Sequence, residues 1–142
     1  MGIDCRVENL GDHLVVVLSG DYNQAEIVRI GTEVMQQCYD LKTYQVTVDA
    51  RRLTGRLSAI ERFELARKLS TLYLGFIARA HKRLRIAHVV RPGFMEPSGA
   101  ADLVAARGIK VHVTSSIEGA LKWLGVKVRL SAKEKEDKAT LY

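Results

Sequence analysis

The sequence alternates short apolar runs with longer segments in which apolar residues recur every three or four positions. Residues 14–18 form a nearly continuous apolar run, whereas Ile27, Ile30 and Val34 recur at the spacing of one helix face. The alternation continues to about residue 125 and predicts the element order ββαβαβαβα. Strands joined through helices pair in parallel, and the opening hairpin adds an antiparallel N-terminal edge strand. We therefore expect one α/β domain built on a mixed, mostly parallel sheet.

Capping and turn residues predict the boundaries of these elements. Asn23 with Glu26, and Ser58 with Glu61, have the three-residue spacing of helix N-caps, so helices are expected to begin close to residues 24 and 59. We predict later strands at 43–50, 85–90 and 110–114, a short helix near 98–106 and a last helix at 116–124. The buried face of the long second helix is predicted to consist of Phe63, Ala66, Leu69, Leu72 or Tyr73, and Phe76.

Composition is typical of a small globular protein. The chain has 142 residues, 47% of them hydrophobic and 27% charged, and no apolar run approaches the ~20 residues of a spanning helix. We interpret Cys5 and Cys38 as reduced, core-type residues of a cytoplasmic protein, because the first fifteen residues hold no apolar signal core. One domain is predicted over residues 1–125, and residues 126–142 are predicted to form an extension with an edge strand and a charged tail.

The residues after the third predicted strand resemble a known family. The order Val-Asp-Ala-Arg-Arg-Leu-Thr-Gly-x-x-Ser, from residue 48 to Ser58, is similar to SpoIIAA-like members of the STAS domains, which are relatives of bacterial anti-sigma-factor antagonists. Blocks at 85–90, 105–108 and 116–124 are similar too, so the resemblance covers roughly residues 3–125. It implies a sheet of four or five strands with helices mainly on one face. It also implies a bacterial protein that binds another protein or a small ligand.

Ser58 is the first candidate for a regulated residue. In the antagonists that the chain resembles, a serine of an Asp-Ser-Ser-Gly motif is phosphorylated at the start of the second helix, and the matching stretch here is Arg-Leu-Ser-Ala. A helix N-terminus favours a negative group, and Arg51, Arg52 and Arg56 are candidates to pair with a phosphate on Ser58 or on a ligand. The ordinary alternative is that Ser58 only caps the helix.

The loop of residues 49–57 is a candidate ligand or partner surface. Open α/β sheets bind ligands beyond the carboxyl ends of their strands, which is where Asp49, Thr54 and Gly55 are expected. Residues 92–98 follow another strand end and are predicted to form the opposite wall of a pocket. Neither a Gly-x-Gly-x-x-Gly nor a P-loop motif is present, so nucleotide sites of these kinds are not predicted.

The second helix carries the predicted self-association surface. A helix over residues 58–80 is about 34 Å long, whereas strands of five residues cover only about 17 Å. Half of the helix is therefore expected to project beyond the sheet and to expose Tyr73, Phe76 and Ile77. An exposed apolar patch of this kind meets a partner or a lipid-like ligand, and we expect a homo-oligomer contact here.

The remaining ionisable residues point to no enzyme. Motifs for a catalytic nucleophile or paired carboxylates are absent. His88 and His112 are interpreted as solvent-facing strand positions, with a shared site completed by Asp49 as the less favoured alternative, so no metal and no cofactor are predicted. The basic run from Arg79 to Arg85 is typical of a helix end and lacks interleaved aromatic residues, so nucleic acid is not predicted as a partner.

Two functions remain open on these grounds. The leading prediction is a non-enzymatic regulatory or protein-interaction domain, switched by a charge change at the N-terminus of the second helix. The alternative is a carrier or sensor that binds a small lipid-like or anionic ligand between the second helix and the sheet. The net charge of +6 permits an anionic partner in either case but does not identify one.

Overall fold

The chain folds into a mixed sheet flanked by helices in the computed structural model, which describes residues 2–92, 94 and 110–126. Within these ranges lie strands β1 (Asp4–Asn9), β2 (Leu14–Asp21), β3 (Gln45–Thr54), β4 (Arg85–Val89) and β5 (Lys110–Thr114), with helices α1 (Gln24–Leu41), α2 (Ala59–Ala80) and α3 (Ile117–Leu124). The sheet has the order β1-β2-β3-β4-β5, and only β1 pairs antiparallel to its neighbour. The predicted α/β fold is confirmed. The helix predicted near 98–106 and, apart from Val126, the extension predicted at 126–142 lie outside the described residues.

The pleat of the sheet separates two packing layers. Val16, Val46 and Ile86 stand on one face and form the main core with residues of α1 and α2. Ala87 and Val89, which alternate with Ile86 on β4, pack on the opposite face against α3. The two long helices therefore share one face, as predicted, while the short α3 covers the other.

The ends of the helices follow the predicted capping residues. The side chain of Asn23 accepts a hydrogen bond from the backbone N–H of Glu26, and Ser58 and Glu61 form the full reciprocal capping box. These signals are local, since they need only residues three positions apart, and they place the helix starts as expected. Within the described ranges, no helix is both long and apolar enough to cross a membrane.

The second helix does not project beyond the sheet, so that prediction was wrong. Tyr73 is 4% exposed and Phe76 is 3% exposed, so both lie on the buried face that the helical spacing predicts, and Ile77 packs partly buried against the same core. The reason is the length of β3, which has 10 residues and not five. At ~3.3 Å per residue β3 spans about 33 Å, which equals the ~33 Å of the 22-residue α2 at 1.5 Å per residue.

The burial predictions for Phe63 and Cys5 were also wrong. Phe63, expected on the buried face of α2, is 61% exposed, because the buried face is formed by the set Leu65, Ala66, Leu69, Ser70, Tyr73 and Phe76. Cys5 was expected in the core and is exposed on the edge strand β1, whereas Cys38 is buried as predicted. Both thiols are free, and burial raises the pKa of Cys38 to about 12.

Candidate functional site

The chain leaves β3 and β4 at the same edge of the sheet. The two strands are parallel neighbours with Asp49 opposite Val89, so the segments after their carboxyl ends meet there. A hydrogen bond joins these segments directly, because Nη2 of Arg91 donates to the carbonyl oxygen of Gly55 over 3.0 Å. Of the second wall predicted at 92–98, Pro92 and Phe94 are described, and both lie at this edge with Gly55 and Leu57.

A cleft of about 430 Å³ opens between the two segments. One wall comes from the start of α2 and the loop before it, and the other follows β4. Arg91 is held over the ring of Phe94 at 5.3 Å, and Phe94 meets the ring of Tyr22 edge-on at 6.0 Å, so the second wall is anchored to the core. The described lining residues are Gly55, Arg56, Leu57, Arg62, Arg91, Pro92 and Phe94.

Ser58 occupies the N-cap of α2 beside this cleft. Its Oγ accepts a hydrogen bond from the N–H of Glu61 over 3.1 Å, and its own N–H donates to Oε1 of Glu61 over 3.0 Å. The hydrogen bond that the Glu61 carboxyl accepts from the backbone N–H of Ser58 lowers the pKa of Glu61. The interaction of this carboxyl with the Ser58 side chain lowers the pKa further. The first turn of α2 thus already carries a carboxylate at its positive end.

The structure does not gather the three predicted arginines around Ser58. Arg51 pairs with Asp49 through two bonds of 2.9 Å, from Nε to Oδ1 and from Nη2 to Oδ2. Asp49 is buried and shares the sheet face of Val89, which packs against α3, so this pair points away from α2. Arg52 is exposed and does not line the cleft, and only Arg56 of the three does.

Two arginines that the sequence analysis missed join Arg56 at the cleft. Arg62 lies four residues after Ser58, one turn into α2, and Arg91 comes two residues after the end of β4. The spacing of Arg62 from the N-cap was a usable signal, because residues four apart lie on one side of a helix. Arg91 could be found only by knowing that β3 and β4 are neighbours.

The remaining residues of the predicted loop surface have structural contacts. The hydroxyl of Thr54 bonds to the carbonyl oxygen of Gly20 and to the carboxylate of Asp21, which ties the end of β3 to the end of β2. Gly55 follows with φ of +105°, a conformation that favours glycine, and its carbonyl receives Arg91. Thr54 and Gly55 therefore shape the loop.

An exposed apolar pair lies on the first turn of α2. Ile60 is 72% exposed and Phe63 is 61% exposed, three residues apart and close to Ser58 in sequence. The other large exposed apolar side chains of the described residues, Tyr39 and Leu41, lie at the far end of α1. The apolar surface of α2 is thus at its beginning, whereas the predicted residues Tyr73, Phe76 and Ile77 face the core.

The two histidines considered for a shared site lie on opposite faces of the sheet. In the register of β4 and β5, His88 is opposite Val113 and His112 is opposite Ala87. His112 stacks on Trp123 of α3 at 5.1 Å. Among residues 2–92, 94 and 110–126, no group of three His, Cys, Asp or Glu side chains could hold a metal ion.

His88 is a buried residue of the main core and not a solvent-facing one. It is 6% exposed, and its Nε2 lies 3.1 Å from the hydroxyl of Tyr73 on α2. Its Nδ1 has no hydrogen-bond partner. Burial lowers the pKa of His88 to about 4 and raises the pKa of Tyr73. A neutral imidazole therefore joins β4 to α2.

The first and last residues of the basic run, Arg79 and Arg85, each make a separate structural contact. The guanidinium of Arg79 lies 4.9 Å from the ring centre of Tyr39, which joins the ends of α2 and α1. Arg85 donates to the carbonyl oxygens of Trp123 and Leu124 over 2.7 and 3.1 Å and lies over the Trp123 ring. It thus caps the C-terminus of α3, as a cation at a helix end does.

These features define the class to which the fold belongs. The sheet order, the antiparallel first strand and the two long helices on one face form a SpoIIAA-like α/β fold. The structure is similar to an anti-sigma factor antagonist from Mycobacterium paratuberculosis, with a TM-score of 0.52 and 15% sequence identity over 88% of this chain and 96% of that one. It is also similar to unphosphorylated SpoIIAA, with a TM-score of 0.50 and 11% identity over 88% of this chain and all of that one. No protein-family model and no curated protein matches the sequence.

Stability should fall as the pH is lowered through the range in which His88 titrates. The pKa is about 4 in the folded state, against ~6.5 when unfolded, so between these values the unfolded chain binds the extra proton. The free energy of unfolding should therefore drop from pH 7 to pH 4, by about 3 kcal/mol from this group. Urea denaturation at pH 7 and pH 4.5 measures the drop in the wild type and in His88→Gln, which cannot titrate. An equal pH dependence in both proteins would contradict the assignment.

Proposed function

We propose that the chain is a non-enzymatic regulatory domain that binds a protein partner through the first turn of α2. The observation that carries the proposal is the exposed pair Ile60 and Phe63 on a fold shared with anti-sigma factor antagonists. Large exposed apolar side chains that lie together mark interaction sites, and Phe is enriched at interfaces. The partner that this likeness suggests is an anti-sigma factor of the same organism.

The charge pattern around the pair suits a regulated contact. Arg56 precedes Ser58 in the loop, and Arg62 lies between Ile60 and Phe63 along the helix. Apolar contacts at the centre of such a surface give affinity, while the surrounding charges determine which partners are accepted. A negative group added at Ser58 would change that charge pattern within one helical turn of the apolar pair.

Replacing either exposed apolar residue should weaken partner binding without weakening the fold. Ile60→Ser and Phe63→Ser should each reduce the affinity for the anti-sigma factor at least tenfold, measured by isothermal titration calorimetry. Both side chains are mostly in solvent, so the free energy of unfolding should change by less than about 0.5 kcal/mol in urea denaturation.

Leu41→Ser is the matched control for these two variants. Leu41 is similarly apolar and is 45% exposed. It ends α1 beside Tyr39, whose ring contacts Arg79 near the end of α2, so it lies far from the first turn of α2. The proposal fails if Leu41→Ser weakens binding as much as the test variants, or if the test variants bind like the wild type.

A charge switch at Ser58 is tested by comparing Asp and Asn at this position, because these two side chains have nearly the same shape and differ in charge. Ser58→Asp and Ser58→Asn both keep an N-cap acceptor, whereas Ser58→Ala removes it and should cost about 1 kcal/mol of stability. If added charge controls docking, Ser58→Asp should change the affinity for the partner at least tenfold and Ser58→Asn should change it less than about twofold. Equal binding by the Asp and Asn variants would show that Ser58 serves only as a helix cap.

A specific observation favours a second candidate function, the binding of a small apolar ligand beneath α1 and α2. The core contains a cavity of about 60 Å³, against the ~15 Å³ that one water molecule needs, with an almost wholly apolar lining. Tyr22 and His88 line it, and the hydroxyl of Tyr22 and Nδ1 of His88 have no hydrogen-bond partner. A ligand with one polar group would satisfy either atom.

Xenon tests this second candidate, because the cavity of about 60 Å³ is smaller than the ~150 Å³ that accepts benzene and fits only a ligand of a few atoms. Xenon should shift the methyl NMR signals of the lining residues Val16 and Ile30 in the wild type. The absence of any shift under xenon pressure would rule out the ligand site. The residues predicted to form a homo-oligomer contact, Tyr73, Phe76 and Ile77, pack against the core and are not available for that contact.

A further inference from the structure

Three arginines from three positions in the chain line the cleft beside α2. Arg56 comes from the loop after β3, Arg62 from the first turns of α2 and Arg91 from the segment after β4, and none of the described lining residues is acidic. Arginines on different sides of one cleft can donate charge-assisted hydrogen bonds to the same anion. We propose that this cleft binds a small phosphorylated molecule through these three arginines.

The second wall of the cleft is already arranged for binding. Arg91 donates to the carbonyl oxygen of Gly55, which uses one of its five N–H donors, and lies against the ring of Phe94. A guanidinium that is held in place loses little side-chain entropy when it meets a ligand. Its planar fork matches two oxygens of a phosphoryl group, so Arg91 contributes directional bonds as well as charge.

The size and lining of the cleft indicate a small molecule with an uncharged body. The volume of about 430 Å³ lies within the range of about 300–1,000 Å³ typical of small-ligand pockets. Leu57, Pro92 and Phe94 give the cleft an apolar portion beside the arginines. Its position beyond the carboxyl ends of two parallel strands is where open α/β sheets bind ligands. Ser58, Ile60 and Phe63 are not among its lining residues, so the site goes beyond the proposed function and shares only Arg56 and Arg62 with the proposed docking surface.

Isothermal titration calorimetry with pyrophosphate at low salt tests the site. Arg56→Gln and Arg62→Gln should each reduce the affinity about tenfold or more, because each removes a charge-assisted contact. Arg91→Lys keeps the charge but loses the fork and should also reduce the affinity at least tenfold. Arg67→Gln is the matched control, since it removes the same charge from an exposed position on α2 that does not line the cleft, and its effect should stay below about twofold.

Two further ligands, a dicarboxylate and a phosphopeptide, show which kind of anion the site prefers. Malonate, a dicarboxylate, should bind at least tenfold more weakly than pyrophosphate if the site selects phosphoryl groups. A phosphoserine peptide that binds more tightly than pyrophosphate, with the same loss in the arginine variants, would overturn the small-molecule proposal. An equal loss in Arg67→Gln would overturn it too, by showing only a general attraction of anions to a basic protein. Ile60→Ser should bind pyrophosphate like the wild type, so failure of this site and failure of partner docking are distinguishable.

Discussion

The parallel pairing of β3 with both of its neighbours is the constraint on which the other features depend. β3 runs beside β2 and β4, and side chains on both of its faces are fully buried, with Val46 under the long helices and Thr47 on the opposite side. Its ten residues span about the same length as α2, so one face of the helix packs against the sheet from end to end. The same pairing brings the segments after β3 and β4 together and so creates the cleft.

The pleat of β3 also decides which polar residues can take part in that cleft. Asp49 lies on the face covered by α3, and Arg51, beside a register shift in the pairing of β3 with β2, bonds to it there. A buried carboxylate needs such a partner, because an isolated charge removed from water is costly. Arg51 is thus required by Asp49, and the positive charge at the cleft comes from arginines outside the strand.

Features that depend on residues close together in the sequence were predicted correctly, whereas features that depend on the assembled sheet were not. The caps at Asn23 and Ser58 were predicted correctly because each depends on two residues only three positions apart. The element order was predicted because strand and helix periods differ. The errors came from quantities that only the assembled sheet defines, namely the register that separates His88 from His112 and the length of β3 that buries Tyr73 and Phe76. The convergence of Arg56, Arg62 and Arg91 was missed for the same reason, since it depends on which strands are neighbours.

A negative charge added at Ser58 would affect three residues at the start of α2, namely Glu61, Ile60 and Arg62. Glu61 is held in the capping box by the N–H and hydroxyl of Ser58, so its carboxylate already occupies the positive end of the helix. A second negative group on Ser58 would repel that carboxylate and favour its release from the Ser58 N–H. Ile60 lies within this turn, and Arg62 extends from it to the cleft. A rearrangement of one helical turn would therefore alter the exposed residue Ile60 and the lining of the cleft together, which would couple the proposed partner binding to the proposed anion binding.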